Sequence, residues 1–209
     1  MLVRDIMRRP AIAVPSDTTL EAAYRTMQRE GIRHLPVEDG GRLVGVVTDR
    51  DLRLATSALS PSPRPPSHPV ADVMTRNPET ADPEDAVEDA ARTMRRKKIG
   101  CLPVLEGGRL AGIITGLDLL DAILKMTGVD KPSGRIEVRL ADHPGELARL
   151  TGFFGERGLN VHSILTHPET ATSVRVVLRV GSIETRRLAE ELRVSGFDVV
   201  WPPEKPWPR

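Results

Sequence analysis

The sequence predicts an α+β protein in two parts, and three observations carry the prediction. The stretch Val3–Ala55 recurs without a gap as Val70–Ala122, with Met7 and Met74, Met27 and Met94, Pro36 and Pro103, Gly45 and Gly112, and Asp51 and Asp118 all the same 67 residues apart. Within each copy the apolar residues repeat first at strand spacing and then at helical spacing, which gives a β-α-β-β-α unit. After Gly134 the pattern changes and reads βαββαβ. A single β-α-β-β-α unit is small for an independent core, so the two copies are expected to pack together as a pseudo-twofold pair.

Each copy is read in order. A short lead, VRDIM or VADVM, precedes an extended stretch near Ile12–Val14 or Glu79–Ala81. An acid-rich helix start follows, and Leu20, Ala23, Tyr24 and Met27 recur at helical spacing, as do Val87, Ala90, Ala91 and Met94. HLPV and CLPV open a strand. The glycine pairs in DGG and EGG supply a tight turn, because glycine takes positive φ without a Cβ clash. RLVGVVT and RLAGIIT return, and a last helix starts at Asp49 or Gly116. The boundaries expected are 1–56 for the first repeat, 57–69 for a proline-rich surface linker and 70–127 for the second repeat.

In the third segment RIEVRLA alternates like a strand. Asp142 can cap the following helix, Pro144 suits its first turn, and Gly158 suits its C-terminus. Leu147, Leu150, Phe153 and Phe154 fall on one face of that helix. Two strands, a second helix ending near Gly196, and a last strand FDVVW complete a ferredoxin-like order over 135–202. Residues 203–209 are expected to form an extended, Pro-rich tail that includes Trp207.

Composition narrows the function classes. Aromatics make up only 3% of the chain, so the cores must be built from Val, Leu, Ile and Ala. A net charge of +1 gives no global basic field for nucleic acid or membrane. The basic run Arg92–Lys98 fits a solvated helix end, where cations oppose the helix dipole. A lone cysteine, Cys101, excludes an internal disulfide and suits a reducing compartment. No apolar run approaches the roughly 20 residues of a membrane helix, and MLVRDIMRRP lacks a signal-peptide core, so a cytoplasmic location is expected. No phosphate-binding loop, HExxH or Cys/His metal spacing occurs, so neither a metal nor a catalytic residue is expected and the chain reads as non-enzymatic, with an enzyme of unknown reaction or a nucleic-acid-binding regulator as the alternatives.

The chemistry concentrates at Thr48 and Asp51 and at their repeats Thr115 and Asp118. Threonine at a helix opening with an acid three residues on fits a capping box. The same geometry fits a nucleotide seat: free N–H groups and the positive dipole end suit phosphate, the hydroxyl adds a donor, and a carboxylate one turn on can accept a ribose hydroxyl. Spacing alone leaves both readings open.

The motifs Gly45–Asp51 and Gly112–Asp118, with IRHLPV and IGCLPV, resemble a tandem pair of CBS domains, a Bateman module, over Val3 to about Met126. The resemblance implies an adenosine-type ligand (AMP, ATP or S-adenosylmethionine) and no required cofactor. It implies a clamp shared across the two repeats. One site would combine Thr48, Arg50 and Asp51 with Thr80, Ile99, Gly100 and Cys101. The other would combine Thr115 and Asp118 with Ile12, Val14, Ile32, Arg33 and His34. The second is favoured for a phosphorylated ligand, because Arg33 and His34 bring positive charge to it.

DHPGEL at Asp142–Leu147 and GLNV at Gly158–Val161 resemble an ACT domain. That implies an amino-acid effector at Asp142, Gly145, Leu147, Asn160 and Val161, or a purely dimerising role. The sequence departs from the best-known amino-acid-binding form, which has Asn where Asp142 stands and His where Leu140 stands. The combination is similar to the acetoin-utilisation type of bacterial regulator. It implies a homodimer acting on a protein partner that the sequence does not identify.

Overall fold

The computed structural model describes residues 1–204, which fall into two compact units, Met1–Leu120 and the chain from Asp121 onward. Trp207 and most of the expected tail lie outside the described residues. The α+β class holds in both units.

The first unit contains the two repeats as far as Leu120, inside the last helix of repeat two. Repeat one runs α1 (Leu20–Glu30), β1 (His34–Asp39), β2 (Arg42–Thr48) and α2 (Asp49–Thr56). Repeat two adds β3 (Thr75–Arg76), then α3 (Val87–Lys97), β4 (Cys101–Glu106), β5 (Arg109–Thr115) and α4 (Gly116–Thr127). Thr19 caps α1 by accepting a hydrogen bond from the Ala22 N–H at 3.2 Å. Gly31 ends that helix in the left-handed region at φ 64°. Lys98 occupies the matching place at φ 55°, a conformation that costs a side-chain residue more than glycine. The antiparallel hairpins β1–β2 and β4–β5 repeat register for register, each with a bulge near its turn.

Two expectations need correcting here. The strands expected near Ile12–Val14 and Glu79–Ala81 are reduced to single parallel bridges, Val14 to Val37 and Ala81 to Val104. Prolines on both sides, Pro10 and Pro15 or Pro78 and Pro83, lack the N–H a longer ladder would need. The leads also do not stay with their own repeats. The Val3 N–H donates to the Asp85 carbonyl at 2.9 Å, whereas the Val70 N–H donates to the Thr18 carbonyl at 2.8 Å. Val70 and Met74 therefore complete the core of repeat one, with Leu20, Met27, Leu35, Val47 and Leu52. β3 adds to β2 through Gly45–Arg76 and Val46–Thr75, and Arg8 bridges to Ile113 on β5.

This exchange requires two glycines. A Cβ on Gly112 would stand 2.7 Å from the Arg8 carbonyl oxygen, and one on Gly45 would stand 2.5 Å from the Met74 sulfur. Residues 57–69 form neither helix nor strand, and they return to the start of α1, where Leu20 N–H donates to the His68 carbonyl at 2.8 Å.

The second unit contains β6 (Gly134–Ala141), α5 (Glu146–Gly155), β7 (Val161–Pro168), β8 (Ser173–Val180), α6 (Thr185–Val194) and β9 (Asp198–Trp201). Its antiparallel sheet has the order β7-β8-β6-β9, the ferredoxin-like arrangement. Ile136, Val138, Leu140, Val176, Leu178 and Val180 alternate onto one face and bury against Leu150, Phe154, Leu188 and Leu192 of the helices. The opposite face carries ion pairs: Glu169 accepts from both Arg139 and Arg175, and these hold its carboxyl at about 2.

Asp142 does not cap α5, and Leu147 does not join its buried face. The N-cap is Gly145, at φ 94°, so Asp142 and Pro144 stand in the turn before the helix. The helix therefore starts later, and Leu147 lies exposed in its first turn while Leu150, Phe153 and Phe154 are buried.

Candidate functional site

The two threonine–aspartate pairs have the same geometry. Asp51 Oδ2 accepts from the Thr48 N–H at 2.9 Å and from the Thr48 hydroxyl at 2.7 Å, and the Asp51 N–H donates to Thr48 Oγ1 at 3.2 Å. Asp118 Oδ2 accepts from the Thr115 N–H at 2.7 Å and from the Thr115 hydroxyl at 2.6 Å, with the Asp118 N–H 3.4 Å from Thr115 Oγ1. The capping-box reading is thus realised at both helix openings. It engages only one carboxylate oxygen of each acid. The second oxygen is the group that distinguishes a ligand seat from a cap.

Within each repeat the hairpin sets the start of one strand against the threonine that ends the other. His34 lies opposite Thr48 across β1–β2, and Cys101 lies opposite Thr115 across β4–β5. His34 and Cys101 are equivalent positions of the repeat. The His34 ring lies against Gly100, so close that a Cβ there would sit 2.8 Å from His34 Nε2. Cys101, Val46 and Ile113 form a buried seam between the repeats.

Electrostatics place His34 beside the first clamp. Burial lowers its pKa most, the Asp51 carboxylate opposes that shift, and Arg33 adds to it. Burial also pushes the Cys101 thiol up to about 12, with Asp51 contributing, so this cysteine is an inert packing group. The resemblance groups Gly100 and Cys101 with Asp51 and His34 with Asp118; His34 stands against Gly100, and both His34 and Cys101 feel the Asp51 carboxylate.

The other candidates are distributed around these clamps. Val14 is buried in the repeat-one core, whereas Ile12, Thr80 and Arg50 are exposed. Ile32 and Arg33 line a cavity of about 430 Å³ with Tyr24, Gln28, Asp49 and Arg53. A neighbouring cavity of about 310 Å³ is lined by Leu20, Tyr24, Leu52, Arg53 and Pro66. Both lie along α1 and α2. The Arg33 carbonyl accepts from the Asp49 N–H at 2.9 Å, and the Gly100 carbonyl accepts from the Gly116 N–H at 3.0 Å, which ties each strand start to the following helix. Arg53 is engaged with Asp49 at 2.5 Å.

One charged residue at the second clamp was not singled out in the sequence. Arg8, from the lead of repeat one, brings its Nε to 3.8 Å from Asp118 Oδ1. The signal that could have found it is the repeat itself, in which Thr75 stands at the place of Arg8.

In the second unit, Asp142 and Gly145 lie in the exposed turn after β6, and Leu147 is exposed on the first turn of α5. Asn160 and Val161 stand at the start of β7, with the Asn160 carbonyl accepting from the Gly181 N–H at 2.8 Å. The basic run on α3 is partly neutralised, since Arg92 pairs with Asp89 and Lys97 with Glu79.

The CBS-domain family matches residues 3–57 and 70–125, more than half of the chain. The chain is a CBS-domain protein. An ACT domain follows at residues 134–196. A CBS domain-containing protein of Dictyostelium discoideum is 39% identical over 139 residues, covering 60% of this chain and 93% of that one. A solved protein of Vibrio cholerae, described as an acetoin utilisation protein, is similar at TM-score 0.55 and 30% identity, covering 64% of this chain and 98% of that one. A CBS domain pair solved with 5′-methylthioadenosine and S-adenosyl-L-methionine is similar at TM-score 0.54 and 29% identity, covering 63% of this chain and 98% of that one. Among the described residues no helix is long and apolar enough to cross a membrane, and no group of three or more His, Cys, Asp or Glu side chains could hold a metal ion.

Proposed function

We propose that this CBS–ACT chain is a non-enzymatic regulator that binds an adenosine compound between its two CBS repeats. The observation that carries the reading is the second carboxylate oxygen of Asp51 and of Asp118. Each acid is fixed by its threonine through one oxygen, which leaves the other for a ribose hydroxyl at a helix opening whose N–H groups suit phosphate. Thr48, Arg50 and Asp51 with Thr80, Ile99, Gly100 and Cys101 form one seat. Thr115 and Asp118 with Ile12, Val14, Ile32, Arg33 and His34 contribute to the other, with His34 also serving the first. The adenosine ligands of the similar CBS pair support this class of compound.

The ACT domain offers Asp142, Gly145, Leu147, Asn160 and Val161 to an amino acid, whose α-ammonium Asp142 would pair. Ligand binding at either domain then biases the protein between arrangements that a partner distinguishes. The chain works as a cytoplasmic homodimer. Leu117, Leu120, Ile123 and Leu124 leave one side of α4 apolar and exposed, as a second copy would require. Calorimetry of the full chain with AMP, ATP and S-adenosylmethionine at millimolar concentration tests the reading. Saturable binding of at least one supports it, and no binding of any of the three overturns it.

A further inference from the structure

The two clamps are built alike but are not approached alike. Arg8 is fixed over β5 by two backbone hydrogen bonds, from its N–H to the Ile113 carbonyl at 2.9 Å and from the Ile113 N–H to its carbonyl at 3.1 Å. Gly112 permits that approach, and the chain direction then carries the Arg8 side chain to Asp118. The Nε–Oδ1 separation of 3.8 Å is an ion pair but too long for a hydrogen bond. The Arg8 side chain is 62% exposed and free to turn, whereas that of Asp118 is only 11% exposed. The other arginines of this lead are committed elsewhere, Arg4 to Glu84 and Arg9 to Glu106 at 3.0 Å. At the Asp51 clamp the equivalent residue is Thr75, on β3 beside Val46.

We propose that Arg8 is the specificity-determining residue of the Asp118 clamp, making it select a 5′-phosphorylated adenosine compound over an uncharged one, while Thr75 leaves the Asp51 clamp without that selection. The inference rests on the reading that the clamps take adenosine compounds. A ribose hydroxyl needs Asp118 Oδ1, the oxygen that Arg8 faces. An uncharged nucleoside must weaken that ion pair and gives Arg8 nothing in return. A phosphorylated one offers the guanidinium a second anion that its planar fork can grip through two N–H groups. Arg8 thus moves from one anion to another, and the preference comes from the exchange.

The test is calorimetry of the full chain with AMP and with adenosine, in an Asp51→Asn background that silences the other clamp. Arg8→Gln should weaken AMP about tenfold or more, the worth of a charge-assisted contact. It should leave adenosine within about twofold, because Arg8 is itself exposed and its pair with Asp118 is too long for a hydrogen bond. Arg8→Lys, which keeps the charge without the fork, should fall between wild type and Arg8→Gln for AMP. In an Asp118→Asn background, Thr75→Arg should create a preference for AMP at the remaining clamp. Equal weakening of AMP and adenosine by Arg8→Gln, or no change in either, overturns the inference and leaves the nucleotide reading intact. Failure of the unmodified chain to bind any adenosine compound overturns both. Unchanged far-UV circular dichroism and melting of Arg8→Gln verify that the fold is unaltered.

Discussion

Asp118 can be made to separate its two roles, because one of its oxygens serves the fold and the other is proposed to serve the ligand. In Asp118→Asn the amide oxygen can take the place of Oδ2 and still accept from the Thr115 N–H and hydroxyl, at 2.7 and 2.6 Å in the parent. The substitution removes the favourable charge at the helix start, worth about 0.3–1 kcal/mol. It also removes a pair with the exposed Arg8, worth about 0–1 kcal/mol. The expected loss of stability is therefore about 1 kcal/mol. Asp118→Ala removes the acceptor as well, and two hydrogen bonds at about 1 kcal/mol each bring its loss to about 3 kcal/mol. In a unit of this size each kcal/mol moves the melting temperature by roughly 4 °C, so melts followed by far-UV circular dichroism resolve the two variants.

Ligand binding should not follow the same order. Asn presents an N–H₂ where Oδ1 accepted, so a ribose hydroxyl loses its acceptor in both variants, and affinity at this clamp should fall about tenfold or more in Asp118→Asn as in Asp118→Ala. Retained affinity in Asp118→Asn, with loss only in the less stable Asp118→Ala, would refute the reasoning and reduce this aspartate to a helix cap.

Further outcomes follow from the same geometry. Gly112→Ala should cost about 1–3 kcal/mol, since its Cβ would meet the Arg8 carbonyl oxygen at 2.7 Å, and backbone cannot step aside as a side-chain tip can; hydrogen-exchange mass spectrometry should show faster exchange at Arg8 and Ile113. Gly116→Ala, with nothing within 4 Å of its Cβ, should be neutral or stabilising by up to about 1 kcal/mol in the same assay. His34 has its pKa lowered by burial from its ordinary 6.5, so its stabilising contribution is complete above that value and is lost as pH falls through the lowered one. Denaturation midpoints taken from about pH 8 to pH 5 should therefore fall less steeply for His34→Gln than for wild type. Gly134→Ala should destabilise the second unit, because its Cβ would stand 2.3 Å from the Ser182 carbonyl oxygen; Trp201 fluorescence during denaturation should report an earlier transition.

Much of this architecture is legible before any coordinates. The 67-residue register fixed both hairpins, and the helix openings at Asp49 and Gly116 fall where threonine and aspartate spacing places them. The order of strands and helices after Gly134 was readable because alternation on β6 is strict and the helices α5 and α6 are strongly one-sided. The exchange of leads was not readable, because duplication makes Val3 and Val70 chemically interchangeable. Either could fill either core, and only the chain path decides. The consequence reaches the site. The neighbours of His34 and the approach of Arg8 to Asp118 both depend on which half faces which, so repeat spacing alone does not give them. The start of α5 was missed for a different reason: a left-handed Gly145 can take over the cap from a good capping residue nearby.

The crossing of leads also bears on how the chain is made. A ribosome delivers the first hairpin and its helices well before Val70 and Met74 exist to close their core, and the opening turn at Val3 waits for the stretch near Asp85. Neither half can be finished while the other is missing, so the pair should mature in one concerted event late in synthesis. A cut within the proline-rich span would then leave two fragments, each holding a piece of the other's interior.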